Sequence, residues 1–164
     1  MIKNIILVCC VLLVGCKGNA QEKTSTKKDE TTYKVSKSDS EWKQELTDLQ
    51  YYVLRKAGTE RAWTSSVLDN KKTGVYVCAA CNTELFKSEH KYDSGSGWPS
   101  FDREIEGNVA YDVDYDIGYE RTEEHCATCG GHLGHVFNDG PSKTTGLRHC
   151  VNGASLKFIP SGKQ

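Results

Sequence analysis

Between Val109 and Ile117 the chain alternates apolar and polar residues without a break, VAYDVDYDI. A period of two is that of a β-strand. It predicts that Val109, Tyr111, Val113, Tyr115 and Ile117 face a core, while Ala110, Asp112, Asp114 and Asp116 form a solvated face. Gly118 then offers a turn into an antiparallel partner within YERTEEHC. Shorter runs of the same texture, TGVYVC at 73–78, HLGHVF at 132–137 and ASLKFI at 154–159, are separated by loops containing Gly and Pro. A helical pattern precedes them. SDSE places Ser38 three residues before Glu41, a capping box that opens a short helix around 41–46. TDLQ repeats the device at Thr47 and Gln50 and opens LQYYVLRKAG. There Leu49, Tyr52, Val53 and Lys56 predict the buried side, and Gly58 predicts the stop. These helices are expected to cover the domain and not to carry its chemistry. The pattern therefore predicts a mainly β, antiparallel domain with short N-terminal helices over residues 39–164.

Upstream the texture changes. Lys3 and Asn4 precede IILVCCVLLV (5–14), an apolar run too short to span a bilayer and suited to a signal-peptide core. It ends in LVGC, Leu13 to Cys16, which resembles the lipobox of bacterial lipoproteins and implies cleavage before Cys16 and lipidation of its thiol. Residues 1–15 are thus expected to be a signal peptide and 16–38 a lipid-anchored flexible tether. KGNAQEKTSTKKDETTYKVSKS (17–38) has too little apolar surface to offset its chain entropy. An ordinary secretory leader or a short uncleaved anchor is the competing reading. The expected setting is a membrane-anchored bacterial lipoprotein facing the periplasm or cell exterior. A length of 164 residues and a net charge of −1 fit one domain plus a tail, expected as a monomer, and do not advertise nucleic acid as a partner.

Export sorts the eight cysteines. Cys9 and Cys10 leave with the leader, and Cys16 carries the anchor. Four of the rest form CAAC (Cys78 and Cys81) and CATC (Cys126 and Cys129). Each Cys-x-x-Cys turn presents two thiolates on one side of a tight loop, so two turns fill the tetrahedral shell of one structural zinc ion and leave no open position. Two disulfides are the serious alternative in an exported protein. Iron suits an exposed compartment less well, and a thioredoxin-like redox pair lacks its strand-to-helix setting. Cys150 remains. An odd cysteine in an exported chain points to a reactive thiol or an intermolecular bridge.

On a strand, Arg148, Cys150 and Asn152 share one face, and cationic and hydrogen-bonding neighbours predict a lowered thiol pKa. GGHLGHVFNDGP (130–141) supplies His132 and His135, of which His135, if close, could donate a proton, and SGSGWPSF (94–101) supplies an exposed Trp98. The competing reading makes the histidines loop supports and Cys150 an inert buried thiol.

GTERAWTS, CAAC, YDSGSGWPSF, CATCGGHLGHVFNDGP and GLRHCVNGASLKF occur in the order seen in the B type of methionine sulfoxide reductase, which the chain resembles from about Leu46 to Phe158. The resemblance implies two antiparallel sheets, a zinc ion on Cys78, Cys81, Cys126 and Cys129, and reduction of the R-sulfoxide of methionine in oxidised proteins. It makes Cys150 the nucleophile, with His135 and His132 polarising or protonating the sulfoxide oxygen. Asn152 and Arg148 would hold the site, and Trp98 would receive the substrate methyl group. Phe137 would line the same pocket or simply pack in the core. Many members carry a resolving cysteine where this chain has Ser96. That departure implies regeneration of Cys150 by a small thiol or thioredoxin-like donor. From a different class, a non-catalytic zinc-ribbon binding module would need Cys150 only for packing. A Cys–His hydrolase would need an oxyanion hole that no motif supplies.

Overall fold

Both capping boxes form. In the computed structural model, which describes residues 32–162, Ser38 caps α1 (Asp39–Glu45) and Thr47 caps α2 (Asp48–Lys56), each with the reciprocal bond from the third residue. The buried side of α2 differs from the expectation. Val53 and Leu54 are buried, whereas Leu49 and Tyr52 are about half exposed and Lys56 faces solvent. The cause is close packing on Gly131, where any side chain would come within 2.9 Å of Leu54 Cδ2. That approach rotates Leu49, Tyr52 and Lys56 outward. The stop also moves by one residue. Ala57 takes the left-handed conformation (φ 51°) and the Gly58 amide donates to the Tyr52 carbonyl. Gly58 is needed for space, since a Cβ there would lie 2.3 Å from the Tyr52 ring.

Packing begins ahead of Ser38. Tyr33 lies edge-on to His125, and the Val35 amide donates to the Thr128 carbonyl. This part of the expected tether therefore rests on the domain. The leader, Cys16 and the tether up to residue 31 lie outside the described residues.

The remainder is mainly β, as expected. β1 (Gly74–Cys78), β2 (Glu84–Lys87) and β9 (Leu156–Pro160) form a three-stranded sheet in the order β2-β1-β9. β3 (Lys91–Tyr92), β4 (Ser100–Phe101), β5 (Val109–Asp114), β6 (Arg121–Cys126), β7 (His132–Phe137) and β8 (Arg148–Val151) form a second sheet. Its order is β3-β4-β8-β7-β6-β5, and the pairings in both sheets are antiparallel. The sheets meet through aromatic contact. Phe86 stacks on Phe101 at 4.4 Å between ring centroids, and Tyr76 meets Phe101 edge-on at 5.1 Å. All three rings are fully buried, and burying a side chain of the phenylalanine class contributes roughly 1.5–3 kcal/mol.

The alternating strand faces the way expected, with its apolar row on the side of Val151 and His149, but it is buried only at its start. Only Val109 of its apolar row is buried; Val113, Tyr115 and Ile117 are more than half exposed. Asp114, expected in water, keeps only 11% of its side-chain surface exposed. β5 is the edge strand of the second sheet, and its apolar row runs out of core beyond Val109, with Tyr111 already 44% exposed. The row carrying Asp112 and Asp114 joins the face that holds Arg121, His135 and Cys150, because in register Asp114 opposes Arg121, Glu123 opposes His135, and His135 opposes Cys150. A pattern read from one strand cannot show that the opposite face is the one occupied by chemistry.

Candidate active site

Strand register builds the site. His135 on β7 lies directly across from Cys150 on β8, and Phe137 across from Arg148, so four of the expected side chains emerge on one face. His132 joins them through an irregularity. Glu124 opposes Gly134 but His125 opposes His132, which leaves Leu133 as an extra residue in β7. This bulge returns His132 to the side of His135, at 5.5 Å between ring centroids. Simple alternation would have set them on opposite faces.

Cys150 opens onto a cavity of about 140 Å³ lined by Trp98, His135, Phe137 and Asn152, together with Thr59 and Arg121. The volume suits the end of a single side chain. A larger groove of about 410 Å³ on the far side of Trp98 includes Trp63 and Leu68 but no histidine or cysteine. Burial pushes the Cys150 thiol up from its ordinary pKa, against the opposing effects of the Ser96 hydroxyl and the Arg148 guanidinium. This reverses the lowered value expected from the flanking residues, because withdrawal from water outweighs the neighbouring donors.

Phe137, Trp98 and Asn152 are held from behind, and Arg148 stands outside the cavity lining. Arg148 forms a two-point pair with Asp139 at 2.8 and 2.9 Å and lies 4.4 Å from the Phe137 ring centroid, facing it. Trp98 is half-buried, not exposed, and its indole Nε1 donates to the Glu60 carbonyl. Glu60 was not visible as a site residue in the sequence. Its carboxylate accepts from the Gly153 and Ala154 amides, while its own amide donates to Asn152 Oδ1. Asn152 Nδ2 donates to the Leu133 carbonyl. β8 ends at Val151, so Asn152 belongs to the turn beyond the strand, where its amide ties β7 to the loop carrying Glu60.

The two histidines differ. His135 lines the cavity, whereas His132 sits behind it, buried, with Nδ1 bonded to Glu123 Oε1 at 2.6 Å. His135 Nε2 bonds Asp114 Oδ2 at 2.6 Å, and Arg121 reaches the same oxygen at 2.5 Å. Burial lowers the His135 pKa, and Asp114 opposes that shift. Asp114 and Arg121 are further residues that sequence reading missed. Their signal was present as a polar position on each strand of one hairpin, but it resembled an ordinary solvated row.

On the opposite side of the domain the two Cys-x-x-Cys turns face each other. They are built alike. Cys78 ends β1 and its carbonyl accepts from the amide of left-handed Asn82 (φ 61°); Cys126 ends β6 and its carbonyl accepts from the amide of left-handed Gly130 (φ 67°). The four sulfurs lie within 4.8 Å of one another. Cys81–Cys126 is 3.5 Å and Cys78–Cys129 is 3.7 Å, well beyond a disulfide bond of about 2.05 Å. All five described cysteines are free thiols. Hydrogen bonding to Cys126 raises the pKa of both Cys78 and Cys129, the direction expected when crowded thiols must share protons. A cation would remove that conflict, and four convergent sulfurs with these spacings can bind a metal ion.

Comparison with known proteins gives a consistent result. The SelR domain family matches residues 46–160. A peptide methionine sulfoxide reductase MsrB of Leptospira interrogans (serogroup Icterohaemorrhagiae, serovar Lai) is 58% identical over 127 residues, covering 77% of this chain and 96% of the relative. The protein of the same name from Leifsonia xyli is 54% identical over 129 residues, covering 78% and 93%. That of Agrobacterium fabrum is 50% identical over 133 residues, covering 80% and 98%.

Proposed function

The chain belongs to the SelR-domain family of peptide methionine sulfoxide reductases, and from that footing we propose that Cys150 carries the reduction. The observation that carries the assignment is the shared cavity: Cys150, His135 and Trp98 line one space of side-chain size. The substrate is the R-sulfoxide of methionine in oxidised proteins, with its methyl group against the Trp98 indole. The Cys150 thiolate attacks the sulfoxide sulfur while His135 delivers a proton to the oxygen. The hydroxyl passes to the Cys150 sulfur as the thioether leaves. The substrate sulfur gains two electrons and the cysteine sulfur loses two, giving a sulfenic acid. Two external thiols, or one dithiol of the thioredoxin kind, then return Cys150 to its thiol and release water and a disulfide.

Arg148, fixed by Asp139, supports the thiolate against burial, and Asn152 locks the turn after β8. His132 braces His135 from behind. Cys78, Cys81, Cys126 and Cys129 would hold one zinc ion, whose contribution when bound is a cross-link between β1 of one sheet and β6 of the other. Four sulfur ligands leave no position for substrate. Export and anchoring through Cys16 complete the reading, supported by the apolar run ending in LVGC.

The test is incubation of the protein with separate R and S sulfoxides of a blocked methionine, with dithiothreitol as reductant. Selective consumption of the R form is expected. Failure to reduce either form would remove the assignment.

A further inference from the structure

Three carboxylates occupy the site face of the β5–β6 hairpin, and they are not equivalent. Asp112 is exposed, and its nearest imidazole nitrogen, on His125, is 3.9 Å away. Glu123 is spent on His132. Asp114 alone touches His135, the histidine that lines the cavity.

Asp114 is itself tightly fixed. Its Oδ1 accepts the Asp116 amide at 2.7 Å, and its Oδ2 accepts from both the Arg121 guanidinium and the His135 ring. The Asp116 amide contributes most to holding its carboxyl at about 2, so the group is an anion throughout the neutral range. A permanent acceptor at 2.6 Å from Nε2 requires the proton of the neutral ring to reside on that nitrogen. Among the described residues Nδ1 makes no hydrogen bond, and the ring that carries it lines the cavity.

We propose that Asp114 is a positioning residue for the reduction, fixing His135 in the Nε2–H form so that Nδ1 faces the sulfoxide oxygen. The inference rests on the proposed route through Cys150. The Cys150 thiol proton moves to Nδ1, producing thiolate and an imidazolium that Asp114 stabilises. As the sulfur–sulfur contact forms, Nδ1 returns that proton to the sulfoxide oxygen. The hydroxyl then ends on Cys150, and no net proton is taken up. Arg121 contributes indirectly, by keeping Asp114 turned toward His135 and away from solvent.

The experiment uses the full chain labelled with ¹⁵N-histidine. Long-range ring correlations report which nitrogen of His135 is protonated, without substrate. The wild-type protein is expected to show Nε2–H. In Asp114→Asn the amide can donate to Nε2, so the ring should move to Nδ1–H, and kcat with a blocked methionine R-sulfoxide should fall by roughly a hundredfold with KM nearly unchanged. Asp114→Glu should keep the wild-type tautomer and recover much of the rate. An Nδ1–H ring in the wild type overturns the proposal without any variant. Unchanged kcat in folded Asp114→Asn overturns it as well, whatever the tautomer. A wild-type protein that reduces no sulfoxide but shows Nε2–H would instead count against the Cys150 route, which separates the two failures.

Discussion

Ser96 holds its hydroxyl oxygen 3.8 Å from the Cys150 sulfur, at the position where many family members carry a second cysteine. The same hydroxyl lies 2.9 Å from Ser94 Oγ, which in turn lies 2.7 Å from Ser100 Oγ. Ser100 pairs directly with Cys150 across β4 and β8. A short chain of hydroxyls therefore reaches the thiol from the β4 side. It can donate a hydrogen bond to a thiolate, but it cannot form a disulfide.

One turnover without reductant should leave Cys150 as a sulfenic acid, with one methionine formed per chain. Ser96→Cys would place a sulfur close to the present oxygen, so a modest side-chain adjustment reaches bonding distance. After turnover that variant should lose two hydrogens and link residues 96 and 150. Intact mass and peptide mapping distinguish the outcomes. An internal disulfide at Cys150 in the wild-type protein would contradict the one-cysteine route.

Reactivity of Cys150 should rise with pH. Its pKa is raised by burial, so the thiolate fraction at neutral pH is small and grows as pH approaches the folded-state value. Ser96 opposes that shift. Ser96→Ala should therefore move the pH profile of iodoacetamide alkylation to still higher pH, and lower the rate at pH 7. A profile that stays in place would show that the hydroxyl does not stabilise the thiolate.

Much of this arrangement was legible because local chemistry and fold agreed. Ser38 and Thr47 announce their helices, and the two cysteine pairs announce their cluster, since both signals depend on neighbours a few residues apart. Asp114, Glu60 and the point where the alternating run leaves the core were not legible. Each acquires its role from a partner on another element: His135 for Asp114, the 152–154 turn for Glu60, and the end of the core for Tyr115 and Ile117. The Cys150 pKa failed for a related reason. Flanking residues reveal which donors are near, but burial depends on the whole fold and here outweighs them.

Trp98 presents an apolar face whose angle is fixed by its bond to the Glu60 carbonyl. Trp98→Ala should lower kcat/KM for the blocked R-sulfoxide by roughly ten- to a hundredfold, mostly through KM, as the methyl group loses its contact surface. Trp98→Phe keeps some of that surface but strands the carbonyl, so an intermediate loss is expected. Steady-state kinetics on both variants decide the matter, and an unchanged KM in Trp98→Ala would place the methyl group elsewhere.

The four-cysteine cluster, with the ion proposed for it, should matter for folding far more than for the chemical step. Cys78 belongs to the three-stranded sheet and Cys126 to the six-stranded one, so an ion shared by the four sulfurs joins the sheets at the end opposite the cavity. Arg55 of α2 donates to the Cys129 carbonyl, which couples the helix to the same turn. Cys78→Ser removes one ligand from a fully buried corner and leaves a hydroxyl among thiols. Its melting temperature should fall by about 10 °C or more, with loss of bound zinc by elemental analysis. A strong chelator should act on the wild type in the same direction. Cys150→Ser supplies the control, since it should abolish reduction while retaining both metal and melting temperature. A Cys78→Ser protein that melts like wild type would show that the sheets are held together without the ion.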